Sequence, residues 1–217
     1  MSYSFSADIW EKNKKKLVDG HIYNDLDEHS SCGVGLIASL KGQSKREVVE
    51  MGLDALKVLY HLGAVDADGK TGDGAGLHIN IPKKFFLEQI ERTGHNPNNF
   101  SFGVGMIFLP RTNYANQERS RSIVEYEILR VGLKIYGWRH VPINTKVIGN
   151  KAKDTRPEIE QILIANDIYR DENEFENHLY LIRKRIENQI RKENINNFYI
   201  SSLSCRSIIY KGMFLAE

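Results

Sequence analysis

The spacing of apolar residues changes several times along the chain, and each change predicts a different element. Short apolar runs bounded by glycine or proline predict strands, whereas apolar residues three or four apart predict amphipathic helices. Strands are predicted over residues 34–40, 77–81, 100–109, 138–143, 159–165, 198–203 and 207–214. Helices are predicted to carry the apolar stripes of residues 49–60, 85–90, 124–135 and 175–186.

Local signals predict where some of these helices begin and end. Ser44, with Glu47 three residues later, predicts a capping box at the start of the first helix. Pro82 suits the first position of the second helix, and Gly63 and Gly137 are expected to close the first and third. The strands occur in adjacent runs with helices between them and without strict βαβ alternation. This order favours an α+β fold.

Composition narrows the possible partners and compartment. The chain has 217 residues, 41% of them hydrophobic, with a formal net charge of +2, which gives no reason to expect nucleic acid as a partner. No apolar run reaches the ~20 residues that a membrane span needs, and residues 1–31 lack the apolar core of a secretory signal. Two cysteines are too few for a disulfide scaffold. A cytoplasmic protein without a membrane partner is therefore expected.

The candidate chemistry centres on Cys32, which follows a polar approach and precedes a glycine-rich apolar run to Leu40. A free thiol has a pKa of ~8.5 and needs a base to act as a nucleophile. That base could be a histidine, a helix N-terminus or the cysteine's own α-amino group after removal of a leader. From position alone, a small buried residue is the more common role for such a cysteine. Cys205, which lies between two predicted strands, is interpreted as structural.

A second motif is the glycine-dense loop over residues 67–76. It lacks the lysine of a P-loop and precedes a strand, so a phosphate or dinucleotide cradle is not favoured. Its glycines are expected to permit a tight turn with positive φ and close packing against the strand after Cys32. His78 is interpreted as an ordinary core or surface residue. No cluster has metal-ligand spacing, so no metal site is predicted.

The segments 29–40 and 67–76 resemble the amidotransferase domain of the glutamate synthase large subunit, a class II glutamine amidotransferase. The similarity covers nearly all of residues 30–214, including 137–142, 179–184, 198–204 and 210–213. It implies an N-terminal-nucleophile hydrolase fold, an αββα four-layer sandwich. It also implies that residues 1–31 are a leader whose removal makes Cys32 the N-terminus of a domain over residues 32–217. Cys32 would then attack glutamine, releasing ammonia and glutamate through a thioester.

Two departures from the family pattern bear on activity. At His61-Leu62-Gly63 the family has His-Arg-Gly, and Leu62 removes a charge and five N–H donors from a position beside the nucleophile. The chain also reaches Glu217 before the family segments that hold the glutamine carboxylate and form the oxyanion hole. We therefore expect the domain to be incomplete at its C-terminal end. The last strand, residues 207–214, is expected to present an open edge prone to association.

The resemblance leaves three functional hypotheses open. The chain could be a truncated and inactive remnant, one half of a domain completed by a separate polypeptide, or a binding module that kept the fold without the chemistry. Leu62 favours lost activity, whereas the retained Cys32 argues against long decay. No cofactor is expected in this chain, because the FMN, iron–sulfur cluster and NAD(P)H/FAD of the family belong to other domains or a partner subunit. Glutamine is the expected small-molecule substrate of the family.

Overall fold

The structure is a computed structural model that describes residues 9–16, 33–59, 63–97, 101–213 and 215. The chain divides into two units, residues 1–34 and residues 35–217. In the first unit, residues 9–16 form a helix, α1, whose Trp10 side chain is 60% exposed. The ammonium of Lys14 lies 5.3 Å from the centre of the Trp10 ring. The proposed leader boundary before Cys32 stays a prediction.

From residue 46 onward, the second unit has helices and strands that largely follow the predicted order, and the strands pair antiparallel, which confirms the α+β class. Among its described helices, none combines the length and apolar composition that a membrane span requires. The short helix α5 was not predicted. The elements are α2 (Arg46–Val58), β1 (Ala75–Asn80), α3 (Lys83–Arg92), β2 (Phe102–Leu109), α4 (Tyr114–Leu129), β3 (Lys134–His140), α5 (Asn150–Thr155), β4 (Glu158–Ala165), α6 (Glu172–Lys192), β5 (Tyr199–Ser204) and β6 (Ser207–Gly212).

Two antiparallel sheets organise this unit. The larger has the strand order β3-β4-β2-β5, and the smaller pairs β1 with β6. Every residue of β2 is buried, because helices α4 and α6 cover one face of the larger sheet while the smaller sheet and α3 cover the other. The first interface includes Ile107, Ile162 and Phe175. The second includes Val104 of β2, with Phe86 of α3 and Ile208 of β6.

The predicted strand over residues 34–40 is wrong. Residues 33–39 have no regular secondary structure, and the side chains of Val34 and Leu36 are 90% and 92% exposed. A strand needs a partner for its backbone N–H and C=O groups, and no strand in the described parts of the chain pairs with this segment. The apolar run therefore predicts neither the burial nor the pairing of this segment.

Several helix boundaries also differ from the predictions. Lys45 is the N-cap of α2 and no side chain caps that helix, so the Ser44–Glu47 capping box is wrong. Pro82 is the N-cap of α3, where it was predicted as the first helical residue. The third helix ends at Leu129 and not near Gly137, because the chain turns at Gly132, where φ is +84°, and then enters β3. Apolar spacing near the end of α4 fits a strand as well as another helical turn.

We expected an open edge on β6, but the backbone groups of Ile209 at its centre have hydrogen-bond partners on β5. The hydroxyl of Ser201 donates to the carbonyl of Ile209 at 3.0 Å, and the N–H of Ile209 donates to the hydroxyl of Ser202 at 3.1 Å. At the turn, the hydroxyl of Ser204 accepts from the N–H groups of Arg206 and Ser207, at 2.9 and 3.1 Å. Serine side chains of β5 therefore take the place of a strand partner for part of β6, and the two strands diverge into different sheets.

Gly105 tests how tightly β2 is packed. A Cβ atom at this position would lie 2.7 Å from Cγ2 of Ile162 and 2.9 Å from Cδ1 of Leu203. We expect Gly105→Ala to lower the free energy of unfolding by about 1–3 kcal/mol, because the β-branched Ile162 cannot move away easily. Urea unfolding followed by circular dichroism measures this change. Gly35→Ala is the control, since no atom lies within 4 Å of the place that its methyl group would take, and an equal loss there would contradict the packing argument.

Candidate active site

The two residues that matter most to the family resemblance, Cys32 and Leu62, lie outside the described residues. Their flanks are described: residues 33–40 follow the cysteine, and residues 63–76 follow Leu62 and lead into β1. The site is therefore built from the loop that begins directly after position 62.

Asp73 hydrogen-bonds to Ala64, two residues after position 62, and so joins the two ends of this loop. Its Oδ2 atom accepts a hydrogen bond from the N–H of Ala64 at 2.9 Å, and its own N–H donates to the carbonyl of Ala64 at 3.2 Å. Val65 and Gly72 form an isolated antiparallel bridge one residue further in. These contacts form a small two-sided ladder, so the main chain at Ala64 is fixed by the far end of the loop.

The glycines of the loop have the backbone role that the sequence predicts. Gly69 and Gly74 have φ values of +69° and +118°, a region that favours glycine. A Cβ atom at Gly74 would lie 3.1 Å from the carbonyl oxygen of Gly212, and one at Gly76 would lie 3.1 Å from that of Tyr210. For Gly74 and Gly76 the close neighbour is thus β6, and not the segment after Cys32.

Asp68 joins the loop to helix α5, which lies far away in the sequence. Its Oδ1 atom accepts from the N–H groups of Thr71 and Lys70 at 2.7 and 3.0 Å. Its Oδ2 atom accepts from the Thr71 hydroxyl at 2.7 Å and from the N–H of Lys151 at 3.4 Å. The Thr71 hydroxyl, followed by these N–H donors, holds the pKa of Asp68 well below its usual range. The ammonium of Lys151 pairs with Asp66 and lowers the pKa of that carboxyl too.

The comparisons with known proteins identify the family. Residues 32–217 match the family described as "Glutamine amidotransferases class-II". The chain belongs to the class II glutamine amidotransferases. The matched region begins at Cys32, the residue that the sequence predicts to be the nucleophile.

Glutamate synthases are prominent among the similar proteins. The chain is 54% identical over 213 residues to the glutamate synthase (NADPH) large chain of Azospirillum brasilense, which covers 98% of this chain and 14% of the relative. It is 38% identical over 189 residues to ferredoxin-dependent glutamate synthase 2 of Synechocystis, covering 87% of this chain. It is 37% identical over 201 residues to the glutamate synthase (NADPH) large chain of Bacillus subtilis, covering 90%. The chain spans 12–14% of the length of these relatives.

Cys205, the other cysteine of this amidotransferase chain, has the environment of a structural thiol. Its sulfur lies 3.0 Å from Oε2 of Glu176, and its N–H donates to the same oxygen at 2.8 Å. Burial, reinforced by the carboxylate of Glu176, raises the pKa of the Cys205 thiol to about 12. The group stays protonated at neutral pH, which supports the structural interpretation. His78 is exposed on β1 and has no metal-ligand neighbours in the described part of the chain.

One cluster of possible metal ligands was not visible in the sequence spacing. Antiparallel pairing places His140 opposite Glu160, and Glu158 lies two residues before Glu160 on the same side of β4. The ligand atoms of the three side chains lie within 4.8 Å of one another. However, Arg121 already binds both carboxylate oxygens of Glu160, at 2.9 and 2.5 Å. A cation would compete with this guanidinium, so we assign no metal to the cluster.

A pocket of about 750 Å³ lies beside the edge strand β3. Four of its polar side chains pair with one another: the Trp138 indole N–H donates to Glu125 at 2.7 Å, and Lys134 pairs with Asp167 at 2.8 Å. Its lining includes no residue of the loop over residues 63–76 and none of residues 33–40. We therefore do not assign the chemistry of the family to this pocket.

The pair formed by Arg121 and Glu160 yields a stability prediction. The side chain of Glu160 is 2% exposed, so Arg121→Leu would leave a buried carboxylate without its ionic partner. We expect the free energy of unfolding to fall by about 3–5 kcal/mol. The control is Arg119→Leu, which removes a guanidinium that is 53% exposed and pairs with Glu193 on the surface. That change should cost no more than about 1 kcal/mol.

Chemical denaturation of both variants measures this difference. The double variant Arg121→Leu/Glu160→Gln should recover part of the lost stability, because the neutral amide is less costly to bury than a carboxylate. Equal stability of the Arg121 and Arg119 variants would contradict the assignment of Glu160 as a buried, arginine-dependent charge.

Proposed function

We propose that this chain provides the glutamine-hydrolysing activity of a glutamate synthase, with Cys32 as the nucleophile. The observation that carries the proposal is that the class II match begins at Cys32. The similarity to the Azospirillum relative covers 98% of the chain and therefore extends into residues 1–31. Residues 1–31 thus lie outside the family match, although a relative shares part of them. This supports the proposal that they form a removable segment ahead of an N-terminal nucleophile.

The chemistry that follows is an acyl transfer. Removal of residues 1–31 frees the α-amino group of Cys32, which titrates near ~8 and can take the proton of the thiol. The sulfur attacks the side-chain amide carbon of glutamine, and the C–N bond breaks as ammonia leaves with that proton. Water then cleaves the thioester, releasing glutamate and restoring the thiol.

The layered arrangement of the family is the fold that we propose for the domain. Helices α4 and α6, the larger sheet and the smaller sheet lie in succession. Helix α2 lies against the smaller sheet, since a Cβ atom at Gly52 would be 3.1 Å from Cδ1 of Leu77 in β1. These contacts support four layers in the order helix, sheet, sheet, helix.

The remaining steps of glutamate synthesis would occur outside these residues. We propose that the FMN, iron–sulfur and NAD(P)H/FAD chemistry belongs to other domains or to a separate polypeptide that receives the ammonia. The basis is that this chain spans 14% of the Azospirillum relative. We also propose a cytoplasmic location, because glutamine and its products are soluble metabolites.

Maturation is the first test of the role of Cys32. We expect the protein purified from its native host to begin at Cys32, and intact-mass measurement combined with N-terminal sequencing will show this. The Cys32→Ala variant should keep its leader if the cysteine takes part in its own exposure. A native protein that retains all of residues 1–31 would rule out the N-terminal amine as the base.

Ammonia release tests the reaction itself. The mature native protein should release ammonia from glutamine, and Cys32→Ser should abolish the release because the hydroxyl is a much weaker nucleophile than the thiolate. The matched control is Cys205→Ser, since the buried Cys205 has no part in the reaction. Unchanged ammonia release from Cys32→Ser would refute the assignment of the nucleophile.

Leu62 favours a second candidate, a module with little or no catalytic activity, because an apolar side chain cannot replace the hydrogen bonds of a guanidinium. If the site is otherwise intact, Leu62→Arg should raise kcat/KM for glutamine about 10- to 100-fold, the value of one charge-assisted hydrogen bond. The control Leu62→Met changes shape without adding charge and should not increase the rate. No gain with arginine, and no ammonia from the native protein, would favour the non-catalytic module.

A further inference from the structure

We propose that Asp68 is a positioning residue, which joins the loop over residues 63–76 to helix α5 and so fixes the main chain at Ala64. We call the group formed by Asp68, Thr71, Gly149, Lys151 and Ala152 the α5 clasp. The geometry of the clasp stands on its own contacts. Only the last step, from Ala64 to the reaction at Cys32, rests on the proposed function.

The clasp caps α5 with residues from a distant part of the sequence. The first N–H groups of a helix lack partners within the helix, and Gly149, the N-cap of α5, has no side chain to supply one. Instead, Asp68 Oδ2 lies 3.4 Å from the N–H of Lys151, and the Thr71 hydroxyl oxygen lies 3.4 Å from that of Ala152. The contact between Thr71 and Ala152 lies in the interior, since these residues are 2% and 3% exposed, whereas Asp68 and its contact with Lys151 lie at the surface.

Glycine is needed at position 149 because its neighbours leave no space for a side chain, and not because of its backbone conformation. Its φ of −68° and ψ of 167° are open to any residue. However, a Cβ atom there would lie 2.2 Å from both Asp68 Oδ2 and Thr71 Oγ1, and 2.6 Å from the backbone nitrogen of Thr71. No side chain fits between α5 and the loop. The close approach that lets Asp68 reach α5 therefore depends on this glycine.

Hydrogen bonds extend from the clasp to Ala64, two residues after position 62. The N–H of Asp66 donates to the carbonyl of Thr71 at 2.8 Å, and Val65 bridges Gly72. Asp73 and Ala64 then exchange two hydrogen bonds. Each successive contact joins the next pair of residues outward from the tip of the loop, so a displacement of Thr71 would carry Ala64 with it.

The charges around the clasp favour an ionised Asp68. The ammonium of Lys151 approaches from α5 and pairs with the neighbouring Asp66. The other contacts of the Asp68 carboxylate are donors from the loop itself, namely the N–H groups of Lys70 and Thr71 and the Thr71 hydroxyl. An amide at position 68 would keep one acceptor but would present N–H donors to the Lys151 N–H. Asp68→Asn should therefore weaken the clasp without emptying its space.

The test compares Asp68→Ala, Asp68→Asn and Gly149→Ala in the native protein. The control is Asp171→Ala, because Asp171 also caps a helix, accepting from the N–H of Asn173 at 3.1 Å, but does so on α6. In Asp68→Ala, amide hydrogen exchange at Thr71, Lys151 and Ala152 should accelerate about 5- to 30-fold, as for the loss of a helix cap. Asp171→Ala should instead accelerate exchange at the start of α6.

The functional readout separates positioning from mere stabilisation. Asp68→Ala should lower kcat/KM for glutamine about 10- to 100-fold and slow the alkylation of Cys32 by iodoacetamide, with Asp68→Asn in between. Asp171→Ala should leave both rates unchanged. Faster exchange at the clasp with both rates equal to those of Asp171→Ala would overturn the positioning role, and unchanged exchange would overturn the clasp itself. If no variant releases ammonia, glutamine hydrolysis fails as the proposed function, and the alkylation rates alone decide the positioning role.

Discussion

The burial of β2 on both faces is the constraint on which the rest of the unit depends. The backbone groups of a strand covered on both faces need partners in neighbouring strands. β4 pairs with β2 over its whole length, and β5 pairs with residues 104–108. Its two faces then need separate apolar partners, which α4 and α6 supply on one side and α3 with β6 on the other. Gly105 shows how little space is left, since a methyl group there would collide with Ile162 and Leu203. The positions of the smaller sheet and of the loop that precedes it follow from this central strand.

The divergence of β5 and β6 separates the two sheets. Two residues lie between these strands, a spacing that would normally give a hairpin, yet they join different sheets. The hydroxyls of Ser201 and Ser202 satisfy the Ile209 backbone groups that a hairpin partner would otherwise take. Glu176 of α6 secures the turn by accepting from Ser204 and Cys205. The hydrogen bonds of these polar side chains thus fix the place where the chain passes from the larger sheet to the smaller sheet.

The loop after position 62 is fixed by a small number of contacts in the same way. Its glycines bring the backbone against β6, while its carboxylates reach back to Ala64 and across to α5. The carboxylates of Asp66 and Asp68 are held ionised by N–H and hydroxyl donors, and by Lys151 in the case of Asp66. A loop held by its own hydrogen bonds, by β6 and by α5 keeps one backbone conformation without regular secondary structure. These contacts are the basis of the proposal that Asp68 is a positioning residue.

The sequence by itself determined the class of the fold, the order of most of its elements and the family. Helix α6 was predictable because its apolar residues recur at helical spacing, and β2 because it is a short apolar run that ends at a proline. Cys32 and the loop over residues 67–76 indicated the amidotransferase family. It could not determine which strands pair, because pairing depends on partners distant in the chain. Residues 34–40 show this limit, since their apolar pattern fits a strand but no described strand pairs with them. Only the tertiary structure could bring Asp68 to α5 and Arg121 to Glu160, because these contacts join residues 83 and 39 positions apart. No local spacing rule reaches across such distances.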